Sequence, residues 1–363
     1  MPPRVLIITA SIGEGHDLPA RTLADQLRDE RPGVEIELAD CLPAMGRIVA
    51  AVAEGAPRLM FFRFEWLWDL SFLLAAGLPP TRRAAQCLLE RFAGAGLLEL
   101  VRSARPDVVV STYPAANEVL ARLRRKRRLG IPVISAITDV AGMHYWAAPG
   151  ADLYLVTQPE VIPEVLEIAG EQADVRTVHG LTAPDFLEHA DAASARASLA
   201  LPRDGKVVIV SGGGWGVGDL RSPVEAALAV AEVAAVVCLC GRNDELRERL
   251  GRRFGTEPRF RAEGFTDRMP DWLAAADVLV HSTGGLTVLE AQMRGCAVVS
   301  YGWGRGHIRL HNKAFRRFDL AHVAGTRAEL ERALLAALRS SRDPDTSFAS
   351  LPSAASHVLA AVP

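Results

Sequence analysis

The chain has 363 residues, more than a single core comfortably holds and enough for two domains of ordinary size. Hydrophobic residues make up 49% and charged residues 23%, a globular composition that excludes a disordered chain. A net charge of −2 offers no electrostatic case for a nucleic-acid partner.

MPPRVLIITA runs directly into Val5–Thr9, a buried-strand pattern with an apolar stretch too short for a signal peptide. A Gly-rich turn and a helix from about Pro19 to Glu30 follow. The stretch at 61–80 is the longest apolar one, but Arg63, Glu65 and Asp69 interrupt it, so it does not span a bilayer. Within it Phe61, Phe64, Trp68 and Phe72 fall near helical spacing, and Trp66 and Trp68 suit a bilayer interface as well as a core. Val34–Leu38, Val108–Ser111, Val133–Ile137 and Leu153–Thr157 read as further strands of one sheet.

Between the second and third of these lies the basic run Arg122, Arg124, Arg125, Lys126, Arg127 and Arg128. It reads as the solvated end of a helix, with anionic lipid headgroups as the alternative partner. Residues from Thr182 to Asp204 are rich in Ala, Asp, Ser and Pro and are expected to hold an interdomain linker. A second series then runs Val207–Ser211, Val236–Cys240, Val278–His281 and Val298–Tyr301. Strands that alternate with helices need crossover connections, so the expected class is α/β with mostly parallel sheets in two Rossmann-like domains. The expected division is 1–185, 186–340, and a linker with a short helix at 341–363, the helix packing back on the first domain. Cys41, Cys87, Cys238, Cys240 and Cys296 lack metal-ligand spacing and are expected to be reduced thiols in a cytoplasmic protein.

Three loops carry chemistry. TASIGEGHDLPA (9–20) places Gly13, Gly15 and then His16 after a strand, where open α/β sheets hold ligands and an imidazole could take a proton from a hydroxyl. SGGGWGVGDL (211–220) has five glycines in seven positions, so its backbone N–H groups, with the following helix N-terminus, could approach a diphosphate. No Gly-Lys-Ser/Thr follows, so it is not the phosphate loop of ATPases. In the third, Ser282-Thr283-Gly284-Gly285 turns from a strand into a helix that carries Glu290, whose carboxylate could accept hydrogen bonds from two ribose hydroxyls or simply face solvent.

Taken together these segments resemble glycosyltransferase family 28, namely the monogalactosyldiacylglycerol synthases and bacterial diacylglycerol glucosyltransferases, and more distantly the N-acetylglucosaminyltransferase of peptidoglycan lipid assembly. The likeness runs from about residue 4 to residue 325. SIGEGH is similar to the N-terminal loop with the family's proposed catalytic His, STYP (111–114) to a Ser-x-His-Pro segment, and TDVAGMHYW (138–146) to a Thr-Asp motif followed by His and Trp. SGGGWGVG resembles the donor loop, and GGLTVLEAQMRGCAVV the donor signature with its ribose-binding Glu.

The resemblance implies a GT-B fold of two Rossmann-like domains facing a cleft, with acceptor on the N-terminal and donor on the C-terminal side. It implies an inverting, metal-independent transfer of a hexose from a nucleotide-diphosphate sugar, a UDP-sugar, to a hydroxyl of a lipid or other apolar acceptor, with no cofactor. His16 is then the base or its helper and Asp139 its competitor. Gly13, Gly15, Tyr113 and His144 fall on the acceptor side. Gly213, Gly214, Trp215, Ser282, Thr283, Gly284, Gly285, Leu286 and Glu290 fall on the donor, Phe265 and Thr266 on its uracil with Met269 beside them, and Arg309 on the sugar or diphosphate. The implied location is the cytoplasm, with peripheral contact at the inner membrane face if 61–78 is exposed.

The sequence departs from the family in four places. Tyr113 replaces the usual His, Trp215 a common Glu, and Thr182 a Pro, while GRGHIRLHN (304–312) lacks the Gln-Gln or Gln-Glu pair for the sugar hydroxyls, leaving His307 or Arg309 as substitutes. The competing functions are a non-catalytic nucleotide-sugar-binding protein and a UDP-N-acetylglucosamine 2-epimerase. The epimerase needs acidic residues converging on the sugar, a set not found in the sequence.

Overall fold

The computed structural model describes residues 2–11, 14–46, 79–281, 284–302, 307–340 and 343–362, with the backbone alone at Glu14 and His307. The chain divides into two compact units. One holds the N-terminal residues through Thr182 together with Ser350–Pro363, and the other holds most of the residues from Ala183 to Ala349.

In the first unit the chain runs β1 (Arg4–Thr9), α1 (Glu14–Glu30), β2 (Glu35–Asp40), α2 (Cys41–Ala44), α3 (Pro79–Ala104), β3 (Val108–Ser111), α4 (Pro114–Arg125), β4 (Val133–Ile137), α5 (Met143–Trp146), β5 (Leu153–Val156), α6 (Ile162–Ala169) and β6 (Val175–Thr177). Among the described residues the six strands form one parallel sheet in the order β2-β1-β3-β4-β5-β6. Strands covered on both faces must be apolar throughout, and β3, β4 and β5 are buried at every position. One face packs Val5, Ile7, Val108 and Ile134 against Leu23 and Leu27 of α1. The other packs Leu6, Ile8 and Val109 against Leu97 of α3 and Leu120 of α4.

The second unit runs α7 (Ala192–Ser198), β7 (Lys206–Ser211), α8 (Arg221–Leu228), β8 (Val233–Leu239), α9 (Asp244–Phe254), β9 (Phe260–Glu263), α10 (Met269–Ala275), β10 (Val278–His281), α11 (Gly285–Met293), β11 (Ala297–Tyr301), α12 (His307–Arg317), β12 (His322–Ala324) and α13 (Arg327–Leu338). Its parallel sheet has the order β12-β11-β10-β7-β8-β9, the doubly wound arrangement. A last helix, α14 (Ala354–Ala360), lies against α1 of the first unit, where Ala354, Ala355 and Val358 complete the core that contains Val5 and Leu27.

Several elements differ from the sequence expectation. The helix placed at Pro19 begins five residues earlier, at Glu14, so His16 belongs to its first turn and not to the preceding loop. Pro19 stands inside the helix at its sixth position, where the missing N–H removes the bond that would run back to the Gly15 carbonyl. The supposed linker is structured over Ala192–Ser198. Asp191 accepts a hydrogen bond from the Ser194 amide at 2.8 Å and caps α7, whose Arg196 is buried. The Arg196 guanidinium donates to Asp277 Oδ2 at 2.7 Å and to the carbonyls of Ala275, Arg203 and Gly205 at 2.9–3.0 Å. Asp277 Oδ2 also accepts from the Val207 amide at 2.8 Å, so one buried ion pair ties α7 to the starts of β7 and β10.

Candidate active site

In a doubly wound sheet the strand order reverses at one point, and the loops leaving the carboxyl ends on either side splay apart and open a crevice. In the first unit that point lies between β1 and β3, and in the second between β7 and β10. The loop before His16 follows β1, and Thr112-Tyr113 follows β3. The glycine run at 212–218 follows β7, and the turn into α11 follows β10. The sequence motifs therefore sit at both reversal points.

In the first unit, Thr9 Oγ1 donates to Asp17 Oδ1 at 2.8 Å and pins the first turn of α1 to the end of β1. The Thr112 hydroxyl donates to the His16 carbonyl at 3.1 Å, and the His16 ring nitrogen Nδ1 lies 2.9 Å from the Thr112 carbonyl. A carbonyl only accepts, so Nδ1 carries the proton of the neutral ring and Nε2 keeps its lone pair. Tyr113 meets the imidazole edge-on at 5.2 Å between ring centroids, and Trp146 lies tilted at 5.9 Å. The Trp146 indole N–H donates to Asp139 Oδ2 at 3.2 Å, which fixes the carboxylate beside the same cluster. Burial lowers the His16 pKa below its ordinary value, opposed by the Asp139 charge, the bond to Thr112 and Asp17. Burial likewise raises the Tyr113 phenol.

The structure thus gathers His16, Tyr113, Asp139 and Trp146. His144 is exposed on the short helix α5, its pKa lowered by partial burial and then by the Arg82 charge. Gly15 lies within α1, and a Cβ built on it meets no atom within 4 Å, so the backbone does not require glycine there. Gly13 and the apolar segment 61–78 lie outside the described residues.

In the second unit the glycines serve first to let two backbones touch. Gly216, at φ +61°, would place a Cβ 2.2 Å from the Cys240 carbonyl oxygen. Gly241, at φ +57°, would place one 2.4 Å from the Gly213 oxygen. The Arg242 amide donates to the Gly214 carbonyl at 2.9 Å, and the Asn243 side chain to the Gly216 carbonyl at 3.4 Å. The loop after β7 and the turn after β8 are thereby one packed layer. The helix expected after this loop starts directly at its end, at Arg221. Asp219 accepts from the Ser222 amide in the first turn of α8 at 3.0 Å. Gly213, Gly214 and Trp215 form a short 3-10 turn within the loop.

Gly284 precedes α11 in extended conformation, with Gly285 buried and Leu286 half-buried in its first turn. Ser282 and Thr283 lie outside the described residues. Glu290 is only 5% exposed, so it is not a surface helix glutamate. Phe265 is 50% exposed after β9, and the Arg242 guanidinium stands 3.9 Å above its ring centroid. The Thr266 hydroxyl accepts from the Arg268 amide at 3.0 Å and from the Trp272 indole at 3.2 Å. Met269 begins α10 beside it, half-buried. Arg309 is exposed on α12, and the His307 side chain lies outside the described residues.

Sequence reasoning missed Arg242 and Thr112. Arg242 sits in CGRNDEL, directly after a strand and a glycine, and that position was the available signal. Among the described residues no group of three or more His, Cys, Asp or Glu side chains could hold a metal ion, and no helix is long and apolar enough to cross a membrane.

Residues 16–181 match the family model described as monogalactosyldiacylglycerol (MGDG) synthase, and residues 215–339 match glycosyl transferases group 1. A processive diacylglycerol beta-glucosyltransferase of Bacillus pumilus is 26% identical over 301 residues, covering 82% of this chain and 77% of the relative. The enzyme of the same name from Bacillus subtilis is 25% identical over 300 residues, with the same coverage. Among solved structures, MurG of Acinetobacter baumannii superimposes with a TM-score of 0.61 at 17% identity, covering 99% of each chain. The spinosyn rhamnosyltransferase SpnG does so at 0.62 and 14%, covering 98% of this chain and 99% of that one.

Proposed function

We propose that this chain, a family-28-like glycosyltransferase of the GT-B fold, transfers a hexose from a UDP-sugar to a hydroxyl of a lipid acceptor, with inversion and without a metal. The observation that carries the reading is the His16 imidazole, held with Nδ1 against the Thr112 carbonyl so that Nε2 is the proton acceptor. In the proposed step Nε2 takes the acceptor hydroxyl proton as that oxygen attacks the anomeric carbon, and the bond to the diphosphate oxygen breaks. The Asp139 carboxylate stabilises the imidazolium that forms. On the second unit, Glu290 holds the ribose, Phe265 the base, and the packed glycine layer the diphosphate. The lipid acceptor is supported by relatives that bear the name of diacylglycerol glucosyltransferases.

The test is a transfer assay with UDP-glucose and UDP-galactose on vesicles containing diacylglycerol, read by UDP release and by NMR of the product anomer, with and without chelator. A β-linked glycolipid formed equally well in chelator is expected. An α-linked product, loss of activity in chelator, or no UDP release with either donor would each defeat the corresponding part of the proposal.

A further inference from the structure

We infer that Arg242 is a positioning residue of the donor site that occupies the place of the nucleotide base in the free protein and passes to the diphosphate when donor binds. The inference rests on the reading of Phe265 as the residue that takes the base. It assigns a role to a side chain outside the resembling motifs.

Three observations converge on it. The guanidinium carbon of Arg242 lies 3.9 Å from the Phe265 centroid, the distance of a stacked contact, and Phe265 is nonetheless half exposed. A planar cation and a planar base are attracted to the same ring face, so they compete for it. Arg242 is itself exposed, and an unbranched, flexible stem carries its guanidinium to the ring. Its backbone is fixed, because the Arg242 amide donates to the Gly214 carbonyl at 2.9 Å while Gly241 packs on Gly213 and Gly214. The side chain therefore pivots from a point anchored on the glycine layer assigned to the diphosphate. It can exchange a ring face for phosphate oxygens without any movement of the backbone. Guanidinium is matched to both tasks, since it stacks on aromatic faces and binds phosphate in a bidentate fork.

The exchange has a signature that a purely structural role lacks. A nucleoside meets only the cost of displacing Arg242 from Phe265, whereas a nucleoside diphosphate also gains the relocated cation. Calorimetric titration of the full chain with uridine and with UDP separates the two. In Arg242→Ala, uridine is expected to bind about two- to five-fold more tightly, the worth of an exposed cation–π contact. UDP is expected to bind about ten-fold or more weakly, the loss of a charge-assisted contact. Arg242→Lys, which keeps the charge but gives up the planar stack, should tighten uridine less than the alanine variant and recover part of the UDP affinity. It also serves if the alanine variant folds poorly. Affinities for uridine and UDP that shift together, or that do not shift, overturn the role of Arg242 and leave the donor assignment standing. Wild-type protein that binds no UDP overturns the donor assignment itself, and this inference with it.

Discussion

His16 Nδ1 lies 2.9 Å from the Thr112 carbonyl oxygen, and a backbone carbonyl cannot be exchanged by mutation or by a change of tautomer. The contact fixes which ring nitrogen is basic and where it points, through the same β3 end that forms the reversal point of the sheet. Replacing His16 with Ala should lower kcat about 10²- to 10⁴-fold, the usual worth of a general base, with little change in donor KM. Because burial lowers the His16 pKa, the acid limb of the kcat/KM profile should fall below the ordinary histidine range. Unchanged turnover in the Ala variant would pass the base role to Asp139.

Glu290 is the buried carboxylate of α11. If it binds two ribose hydroxyls, Glu290→Ala should raise donor KM about ten-fold or more, since hydrogen bonds to a charged group contribute roughly 1.5–3 kcal/mol. Binding lost equally from ground and transition states should leave kcat near its wild-type value. A KM that stays put would assign Glu290 to the packing of its helix.

Two glycines should respond in opposite directions to a single methyl. Gly216→Ala meets the Cys240 carbonyl at 2.2 Å in a left-handed backbone, and thermal unfolding should show a loss of about 2 kcal/mol or more. Gly15→Ala meets open space within a helix, and should add about 0.5–1 kcal/mol of stability. Any fall in activity of the stabilised Gly15→Ala variant would then report a ligand passing close to that backbone.

The pH dependence of stability has a definite sign at His281. Burial, and then the His311 charge, lower its folded pKa from 6.5 to about 4. Between those values the unfolded chain binds the extra proton, so stability rises with pH across this window and is lost as pH falls from 6.5 towards 4. The full shift corresponds to roughly 3 kcal/mol. Denaturant midpoints measured at pH 7 and pH 5 should differ in wild type, and less so in His281→Phe.

The central strands were legible because a strand covered on both faces must be a short apolar run, as in Val108–Ser111 and Val278–His281. Of the four strands at sheet edges only Glu35–Asp40 was anticipated, as Val34–Leu38. Val175–Thr177, Phe260–Glu263 and His322–Ala324 are short, partly exposed and carry polar residues, so no apolar run marks them. At the candidate site, the motif residues His16, Tyr113 and Asp139 were visible one by one, but their meeting depends on strands β1, β3 and β4 lying side by side. The packing of the glycine run was not visible, because its contacts with Cys240 and Gly241 join segments far apart in the chain. Arg242 went unseen for the same reason, since Phe265 is its partner only in three dimensions.

The helix Ala354–Ala360 closes a core whose other walls are β1 and α1, so the first unit is sealed by residues translated after the whole of the second. On the ribosome the second unit is contiguous and can mature while the core of the first still lacks Ala354, Ala355 and Val358. Synthesis therefore imposes an order, with the unit that begins the chain finishing last. A nascent chain halted before Ala354, like one trimmed back to that point, would lack the part of this core that the last helix supplies.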